Sequence, residues 1–291
     1  MNYTSLNSYL KERFGCKVYK LAIDGGFTCP NRDGTLDTRG CVFCSKGGSG
    51  EFAGSRKLSI TEQIEQGKRL VEKKIKDGKY IAYFQAFTNT YAPINELKEK
   101  YYQAINHPDI VALSIATRPD CLGDDVLNLL DEINKIKPVF VELGLQTIHE
   151  KTAEYIRRGY PLSVYDEAIE KLHGIGINVV THLIIGLPGE TTEDILESVS
   201  YVCEKTDGIK LQLLHIIKGT DLEKEYNAGK ISVLFLDEYA EIIKRCVNII
   251  PKNVVVHRLT GDGAKKDLIA PLWSADKKKV LNTINKKLSD L

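Results

Sequence analysis

Short apolar runs rich in β-branched residues alternate with amphipathic stretches along most of this 291-residue chain. The runs predict buried strands, because a strand covered on both faces of a parallel sheet reads as a continuous apolar segment. Six strands are predicted: Tyr19–Ile23, Tyr80–Phe87, Ile110–Ile115, Pro138–Leu145, Ile177–Ile185 and Ile209–Ile217. The stretches between them predict five helices: Thr61–Lys76, Ile94–Asn106, Asp124–Ile136, Leu162–His173 and Thr192–Lys205.

The spacing of these elements predicts an α/β fold built from repeated strand–helix units. The middle strands begin about 30 residues apart, which is the length of one strand, one helix and two connections. Such units in series form either an open doubly wound sheet or a barrel, and periodicity alone does not choose between them. In both folds ligands bind where the strands end, so the loops that follow the strands are expected to carry the chemistry.

Both ends of the chain extend this repeat. We expect a helical extension at 1–18, the repeat itself at 19–220, and a basic extension packed on it at 221–291. From residue 244 onward, eleven Lys or Arg and four Asp give a local charge of +7, although the whole chain carries only +1. Such a segment is either a solvated terminal helix or a surface for nucleic-acid phosphates.

Composition limits the class of protein. With 43% hydrophobic and 27% charged residues, the chain has the balance of a folded globular protein. No apolar run approaches the ~18 residues of a membrane helix, and the first residues do not resemble a signal peptide. We therefore expect a cytoplasmic protein with no membrane segment. Disulfides are rare in that compartment, so its seven cysteines direct attention to metal or redox chemistry.

Three cysteines cluster directly after the first predicted strand. Cys29, Cys41 and Cys44 form a C-x11-C-x2-C pattern in a glycine-rich segment that can fold back on itself. A zinc site would need a fourth ligand, which Cys16 could supply, since the first histidine is His107. A four-iron cluster held by three cysteines would instead leave one iron open to a cofactor or substrate.

A three-cysteine loop after the first strand of such a repeat resembles the radical S-adenosylmethionine (SAM) superfamily. The long x11 spacing, LSIATRPDCL from Leu113 and VELGLQTIHEKTAEYIRRGY from Val141 resemble the branch that contains the Elongator catalytic subunit. The tail that begins at His257 resembles the YhcC/YtqA-like bacterial family. The resemblance implies a partial (β/α)6 TIM-like barrel with a [4Fe–4S] cluster on Cys29, Cys41 and Cys44. It also implies SAM on the open iron and reductive cleavage of SAM to a 5′-deoxyadenosyl radical.

The resemblance further implies a set of SAM contacts: Phe43, Gln85, Thr88, Gln146, Arg158 and Leu187. Phe43 is expected near the adenine or as a core anchor of its loop. Gln85 and Thr88 belong to the turn that meets the SAM amino group, although the glycines usual in that turn are replaced. Gln146 occupies the ribose position, and Leu187 lies in the turn whose backbone holds the adenine. Arg158 is expected on the SAM carboxylate, with a cation at a helix C-terminus as the alternative.

Seven other residues have open or structural roles. Four of them are either cavity groups or ordinary structural residues: Arg118, Cys121, His182 and His215. The remaining three cysteines have apolar neighbours and are expected in the core: Cys16, Cys203 and Cys246. No catalytic residue beyond the cofactor ligands is assigned.

The resemblance implies modification of the wobble uridine of tRNA, from 5-carboxymethylaminomethyluridine toward 5-aminomethyluridine. It also implies a flavodoxin or ferredoxin as electron donor. Two alternatives are a radical SAM enzyme acting on a small metabolite or protein, and a non-catalytic zinc or iron–sulfur interaction module. The pattern predicts no oligomeric state.

Overall fold

A computed structural model of the chain describes residues 3–75, 78–261 and 263–289. The outermost residues of both predicted extensions, and Lys76 at the end of one predicted helix, lie outside these ranges. In the described ranges, no helix is both long enough and apolar enough to cross a membrane.

The structure contains an eight-stranded parallel sheet and a small antiparallel pair. The eight strands are β1 (Thr4–Ser5), β2 (Val18–Ile23), β3 (Lys79–Phe84), β4 (Ile110–Thr117), β5 (Val139–Gln146), β6 (Asn178–Ile185), β7 (Gly208–Leu213) and β9 (Val255–Arg258). The pair consists of β8 (Ile216–Ile217) and β10 (Leu268–Ala270). The order in the main sheet is β1-β9-β7-β6-β5-β4-β3-β2.

The order of the central strands decides between the two predicted arrangements. Strands β2 to β7 lie side by side in chain order, each parallel to the next. A doubly wound sheet would reverse its order at a switch point, so the partial-barrel prediction is confirmed. The sheet is wider than the six predicted strands, because β9 adds beside β7 and β1 adds beside β9. The predicted strand Ile209–Ile217 was wrong as one element, since β7 ends at Leu213 and β8 pairs elsewhere.

Helices cover the outer face of the sheet. They are α1 (Leu6–Phe14), α2 (Ile60–Val71), α3 (Ile94–Ile105), α4 (Asp124–Asn134), α5 (Glu150–Tyr155), α6 (Leu162–Gly174), α7 (Thr192–Cys203), α8 (Asp221–Asn227), α9 (Leu236–Ile249) and α10 (Lys277–Ser289). All five predicted helices are confirmed, with ends shifted by a few residues. Their start points follow local chemistry: Ser59 with Glu62 forms a capping box on α2, and Thr191 with Asp194 forms one on α7.

The N-terminal segment closes one end of the barrel. Helix α1 contacts both β2 and β9, which lie on opposite sides of the sheet opening. Its Leu10 packs against Val18, Ile81, Ala112 and Phe140, which lie on the first residues of strands β2 to β5. The N-terminal end of the barrel is therefore filled by apolar side chains, and the C-terminal ends of the strands remain open.

Candidate functional site

A cavity of about 1530 Å³ opens at the C-terminal ends of the strands and reaches down into the barrel. Each of the strands β2 to β7 lines it, and β9 supplies a further wall. Pockets for one drug-sized ligand usually enclose about 300–1,000 Å³, so this cavity has room for more than one ligand. Most of the residues predicted from the sequence lie in it.

The three clustered cysteines lie in the long connection between β2 and α2, and all three line the cavity. The Cys44 amide donates to the Cys41 carbonyl at 3.0 Å, which closes the tight turn between them. Asn31 Nδ2 donates to Cys41 Sγ at 3.5 Å and to the Arg157 carbonyl at 2.7 Å. Connections this long without a helix or strand are uncommon in compact domains and are usually functional.

Gly40 allows this loop to pass close to a guanidinium group. Its φ is +78°, and a Cβ at this position would lie 3.0 Å from Arg32 Nε. Arg32 Nη2 in turn donates to the carbonyls of Cys44 and Ser45, at 2.9 and 2.6 Å. Arg32 therefore fixes the segment that carries two of the three thiols.

The spacing of the thiols bears on which metal they fit. Among the described residues, the one group of three potential ligands whose atoms all lie within 4.8 Å is His149, Asp194 and Glu197, so the three sulfurs are more widely spread. A single zinc ion would require sulfurs about 3.8 Å apart. A multi-iron cluster suits wider spacing, because each thiolate binds a different iron atom. Cys16, the possible fourth zinc ligand, packs instead beside the apolar group around Leu10.

The electrostatic environment of the thiols is mixed. Burial, and the neighbouring Cys44, raise the pKa of the Cys41 thiol to about 12, against an opposing effect of Arg118. Burial also raises the pKa of Cys44, and Arg32 opposes it. Metal binding must displace these protons, and the two guanidinium groups favour the resulting thiolates.

Gln146 stands out among the strand-end residues. Its φ of +73° is in the left-handed region, which costs a non-glycine residue about 1–3 kcal/mol. Its buried Oε1 has no hydrogen-bond partner among the described residues, and the side chain lines the cavity. Backbone strain together with an unsatisfied buried acceptor makes Gln146 a candidate ligand contact.

Arg158 reaches the cavity but is held by the protein itself. It is 2% exposed, and its Nε and Nη1 donate to the carbonyls of Tyr160 and Thr147 at 2.9 and 2.7 Å. Its Nη2 lies 3.2 Å from both oxygens of Glu150. It lies just after the C-terminus of the short helix α5 and is buried, so its role on the SAM carboxylate and its role as a helix C-terminal cation both stay predictions.

Arg118 also lines the cavity, at the end of β4. It makes a two-point ion pair with Asp120 at 2.9 and 2.7 Å, and its guanidinium carbon lies 5.1 Å from the centre of the Tyr160 ring. It is close enough to Cys41 to affect the thiol pKa. The sequence left its role open, and the structure places it beside the cysteine loop.

The other predicted residues divide between the cavity and the core. Five line the cavity: Phe43, Gln85, Thr88, His182 and His215. The Leu187 side chain does not, because it is buried among Val42, Ile156 and their neighbours. Cys121 is half-buried outside the cavity lining, and Cys203 and Cys246 are buried in the main core as expected.

A layer of polar side chains inside the barrel is the feature that sequence reasoning missed. Glu142 on β5 is fully buried and forms ion pairs with Lys20 on β2 and Lys210 on β7. His182 Nε2 and Ser114 Oγ each lie 2.7 Å from the same carboxylate. Only His182 was considered from the sequence. The available signal was a single charged residue inside each of three largely apolar strands, β2, β5 and β7.

This layer has strongly altered acid–base properties. Burial opposes ionisation of Glu142, but Lys20, Lys210 and His182 outweigh it and hold the carboxyl pKa well below its usual range. Burial lowers the pKa of Lys210 to about 7, against the attraction of Glu142. Burial, together with the positive charge of Lys210, lowers the pKa of His182 to about 4. His182 is therefore neutral at pH 7 and donates its Nε2 proton to Glu142.

Comparison with known proteins agrees with this architecture. Residues 38–202 match the radical SAM superfamily and residues 206–290 match the radical SAM C-terminal domain. The chain is 48% identical to YtqA of Bacillus subtilis strain 168 over 99% of this chain and 90% of that protein. It is 40% identical to YhcC of Escherichia coli K12 over 91% of this chain and 85% of that protein.

More distant matches involve part of larger proteins. A tRNA uridine(34) acetyltransferase of Methanocaldococcus jannaschii is 32% identical over 52% of this chain and 28% of that protein. The solved structure of an N-terminally deleted Elp3 from Methanocaldococcus infernus superposes with a TM-score of 0.68 at 20% identity. That superposition covers 93% of this chain and 63% of the Elp3 chain, and it shows a shared fold. The chain belongs to the radical SAM superfamily, whose enzymes use a [4Fe–4S] cluster and SAM, and YtqA and YhcC are its relatives within that superfamily.

Proposed function

We propose that this radical SAM enzyme binds its [4Fe–4S] cluster through Cys29, Cys41 and Cys44 and modifies the wobble uridine of tRNA. The observation that carries the cofactor assignment is the meeting of three thiols and the unsatisfied Gln146 carbonyl at the open end of one cavity. Four of the other proposed SAM contacts line the same cavity, namely Phe43, Gln85, Thr88 and Arg158. The backbone at Leu187 is a further proposed contact. When bound, the cluster supplies the electron that cleaves SAM and yields the 5′-deoxyadenosyl radical.

The protein's own groups hold and orient these ligands. Arg32 and Asn31 fix the cysteine turn, so the three thiolates are presented together. The Gln146 carbonyl is available to accept a hydrogen bond from a ribose hydroxyl. Arg158 Nη1 uses one of its two N–H groups on Thr147, which leaves the other for the SAM carboxylate.

The tRNA proposal rests on relatives and on charge. One relative is a tRNA uridine(34) acetyltransferase, although it matches only about half of this chain. Helix α10 carries a lysine run, Lys277 to Lys279, and Lys277 lines the cavity. This places positive charge beside the opening, where phosphates of a large substrate would contact the protein. The proposed reaction converts 5-carboxymethylaminomethyluridine toward 5-aminomethyluridine, in the cytoplasm, with a flavodoxin or ferredoxin as electron donor.

The cofactor assignment is tested by anaerobic reconstitution with iron, sulfide, reductant and SAM. Wild-type protein is expected to form 5′-deoxyadenosine, and Cys41→Ala is expected to form none and to lose iron. Cys16→Ala is the matched control, because this cysteine lies outside the cluster but would complete a four-cysteine zinc site. Loss of metal in Cys16→Ala, or no 5′-deoxyadenosine from wild type, would refute the assignment.

The substrate is tested by mass spectrometry of tRNA nucleosides from strains with and without the gene. We expect 5-carboxymethylaminomethyluridine to accumulate in the deletion strain and 5-aminomethyluridine to decrease. Binding of tRNA should also weaken steeply as salt increases, because phosphate contacts release counterions. An unchanged nucleoside profile would favour an enzyme that acts on a small metabolite or protein.

A further inference from the structure

The inside of the barrel is arranged in layers along each strand. On β5, Phe140, Glu142, Gly144 and Gln146 are two residues apart and therefore share the inward face. Phe140 belongs to the apolar group that closes the N-terminal end, and Gln146 lies at the cofactor end. Glu142 and Gly144 lie between them. The four residue steps from Glu142 to Gln146 span about 13 Å of strand.

The layer directly above the apolar end is charged. Lys20, Glu142 and Lys210 come from β2, β5 and β7, and Tyr83 from β3 lies between the two lysines. The Tyr83 ring centre is 5.1 Å from Lys20 Nζ and 4.7 Å from Lys210 Nζ, which is within the range of cation–π contacts. We call Lys20, Tyr83, Glu142 and Lys210 the barrel floor.

In the barrel floor, the carboxylate of Glu142 uses all of its acceptor positions, whereas each lysine has an N–H group left over. The Glu142 carboxylate accepts four bonds, from Lys20 and Ser114 on one oxygen and from His182 and Lys210 on the other. Four is its full capacity. Each lysine has three N–H groups and uses two, one on Glu142 and one on a hydroxyl of Ser114 or Tyr83. The group that would complete this layer is therefore an acceptor.

The lysines of the barrel floor are partly exposed, and its carboxylate is not. The side chains of Lys20 and Lys210 keep exposed fractions of 16% and 7%, whereas Glu142 has none. When both lysines are protonated, the three charged groups carry one net positive charge, because two ammonium groups face one carboxylate. Arg258, which lies beside Lys210 in the sheet register, adds to the positive potential there. A buried excess of positive charge is costly unless an anion compensates it.

Space for such an anion exists directly above the floor. Three neighbouring cavity positions in the next layer are small, namely Ala22, Ala116 and Gly144 on β2, β4 and β5. The cavity therefore continues from the cysteine loop to the floor without a side-chain barrier on these strands.

We propose that the barrel floor is a carboxylate-binding site, in which Lys20 and Lys210 bind an anionic group of the substrate while Glu142 holds both lysines in place. A single carboxylate matches the single excess charge, whereas a phosphate dianion would leave an uncompensated negative charge. The site is separate from the proposed SAM contacts, which lie at the other end of the cavity. The inference deepens the proposed function and rests on it for the choice of probe, since the proposed tRNA substrate carries a carboxylate that its product lacks.

The test is equilibrium binding of two tRNAs that differ only at the wobble uridine, one with the 5-carboxymethylaminomethyl group and one with the 5-aminomethyl group. Wild-type protein is expected to prefer the carboxylate form by about tenfold to a hundredfold, the range for hydrogen bonds between charged groups. Lys210→Met should reduce the ratio of the two affinities to about one. Lys218→Met is the matched control, because this lysine is exposed and outside the cavity lining, and it should keep the wild-type ratio.

A second variant keeps the inference testable if Lys210→Met does not fold. Replacement of all three charges, in Lys20→Met/Glu142→Met/Lys210→Met, removes the ion cluster as a unit and is expected to fold while losing the preference. Equal binding of both tRNAs by wild type, or a wild-type ratio in Lys210→Met, would overturn the inference.

The same comparison with the two free nucleosides separates this inference from the proposed function. A carboxylate preference for the nucleosides that depends on Lys210 supports the floor site even if the tRNA nucleoside profile does not change. An altered tRNA profile without any carboxylate preference supports the proposed function and refutes the floor site.

Discussion

Replacement of Glu142 by Gln tests the barrel floor as a structural unit. The substitution keeps the size of the side chain and one of its two acceptor oxygens. It replaces the other oxygen by an amide nitrogen, which donates, and it removes the negative charge between Lys20 and Lys210. Glu142 is fully buried, so water cannot replace the lost charge. Removal of one partner from a buried ion pair typically costs about 3–5 kcal/mol.

The expected magnitude lies at the lower end of that range. Burial already lowers the pKa of Lys210 to about 7, so this lysine can release its proton when Glu142 is lost. Neutralisation of Lys210 limits the charge left in the layer to Lys20 alone. We therefore expect Glu142→Gln to lower the free energy of unfolding by about 3 kcal/mol, a large share of the ~5–15 kcal/mol of a typical domain.

Urea unfolding followed by circular dichroism measures this change. Glu132→Gln is the control, because Glu132 pairs with Lys98 on the surface and both side chains are about half exposed. This surface variant should change stability by less than about 1 kcal/mol. The triple methionine variant of the floor should be close to wild type, since it leaves no charge unpaired. A Glu142→Gln variant as stable as Glu132→Gln, or a triple variant as unstable as Glu142→Gln, would refute the reasoning.

Three further substitutions give separable outcomes. The pKa of His182 is lowered from 6.5 to about 4, so as the pH falls through this interval only the unfolded state gains the proton. The free energy of unfolding therefore decreases by about 1.4 kcal/mol per pH unit. His182→Gln should remove this pH dependence in urea unfolding at several pH values, and an unchanged pH dependence would contradict the reasoning. Gly40→Ala places a Cβ on a residue with φ +78°, 3.0 Å from Arg32 Nε, so it should lower the free energy of unfolding by about 1–3 kcal/mol. It should also reduce the iron bound per chain after reconstitution. A Gly40→Ala variant with full iron content would show that the loop tolerates the change. Arg158→Lys loses the planar fork and should weaken SAM binding by about tenfold in equilibrium dialysis, with wild-type affinity as the opposing result.

The sequence predicted what depends on local pattern. Strands β2 to β6 were found because each is one apolar run, and the cysteine loop was found because its three cysteines lie within 16 residues, from Cys29 to Cys44. The missed strands are β1, with two residues, β9, with four, and β10, with three, which are too short to produce a period. The run Ile209–Ile217 was read as one strand because an apolar pattern does not mark a change of direction.

The barrel floor was missed for a different reason. Lys20, Glu142 and Lys210 are separated by more than sixty residues from one another, and only closure of the barrel brings them together. In the sequence, each of these charged residues by itself resembles an ordinary solvent-facing residue of a half-exposed strand. The informative pattern was that these charges interrupt strands whose other residues are apolar on both faces, where a charge must find a partner inside.

Gly144 separates the two ends of the cavity and allows them to be tested independently. A Cβ at this position would lie 2.8 Å from Gln146 Nε2, so Gly144→Ala should displace the Gln146 amide, whose carbonyl is the unsatisfied acceptor at the cofactor end. The floor lysines lie one layer below and are not touched by the added methyl group. We therefore expect Gly144→Ala to weaken SAM binding in equilibrium dialysis by about tenfold, the value of one hydrogen bond, while the Lys210-dependent preference for the carboxylate nucleoside persists. Loss of the carboxylate preference together with SAM binding would mean that one ligand site, rather than two, occupies the barrel.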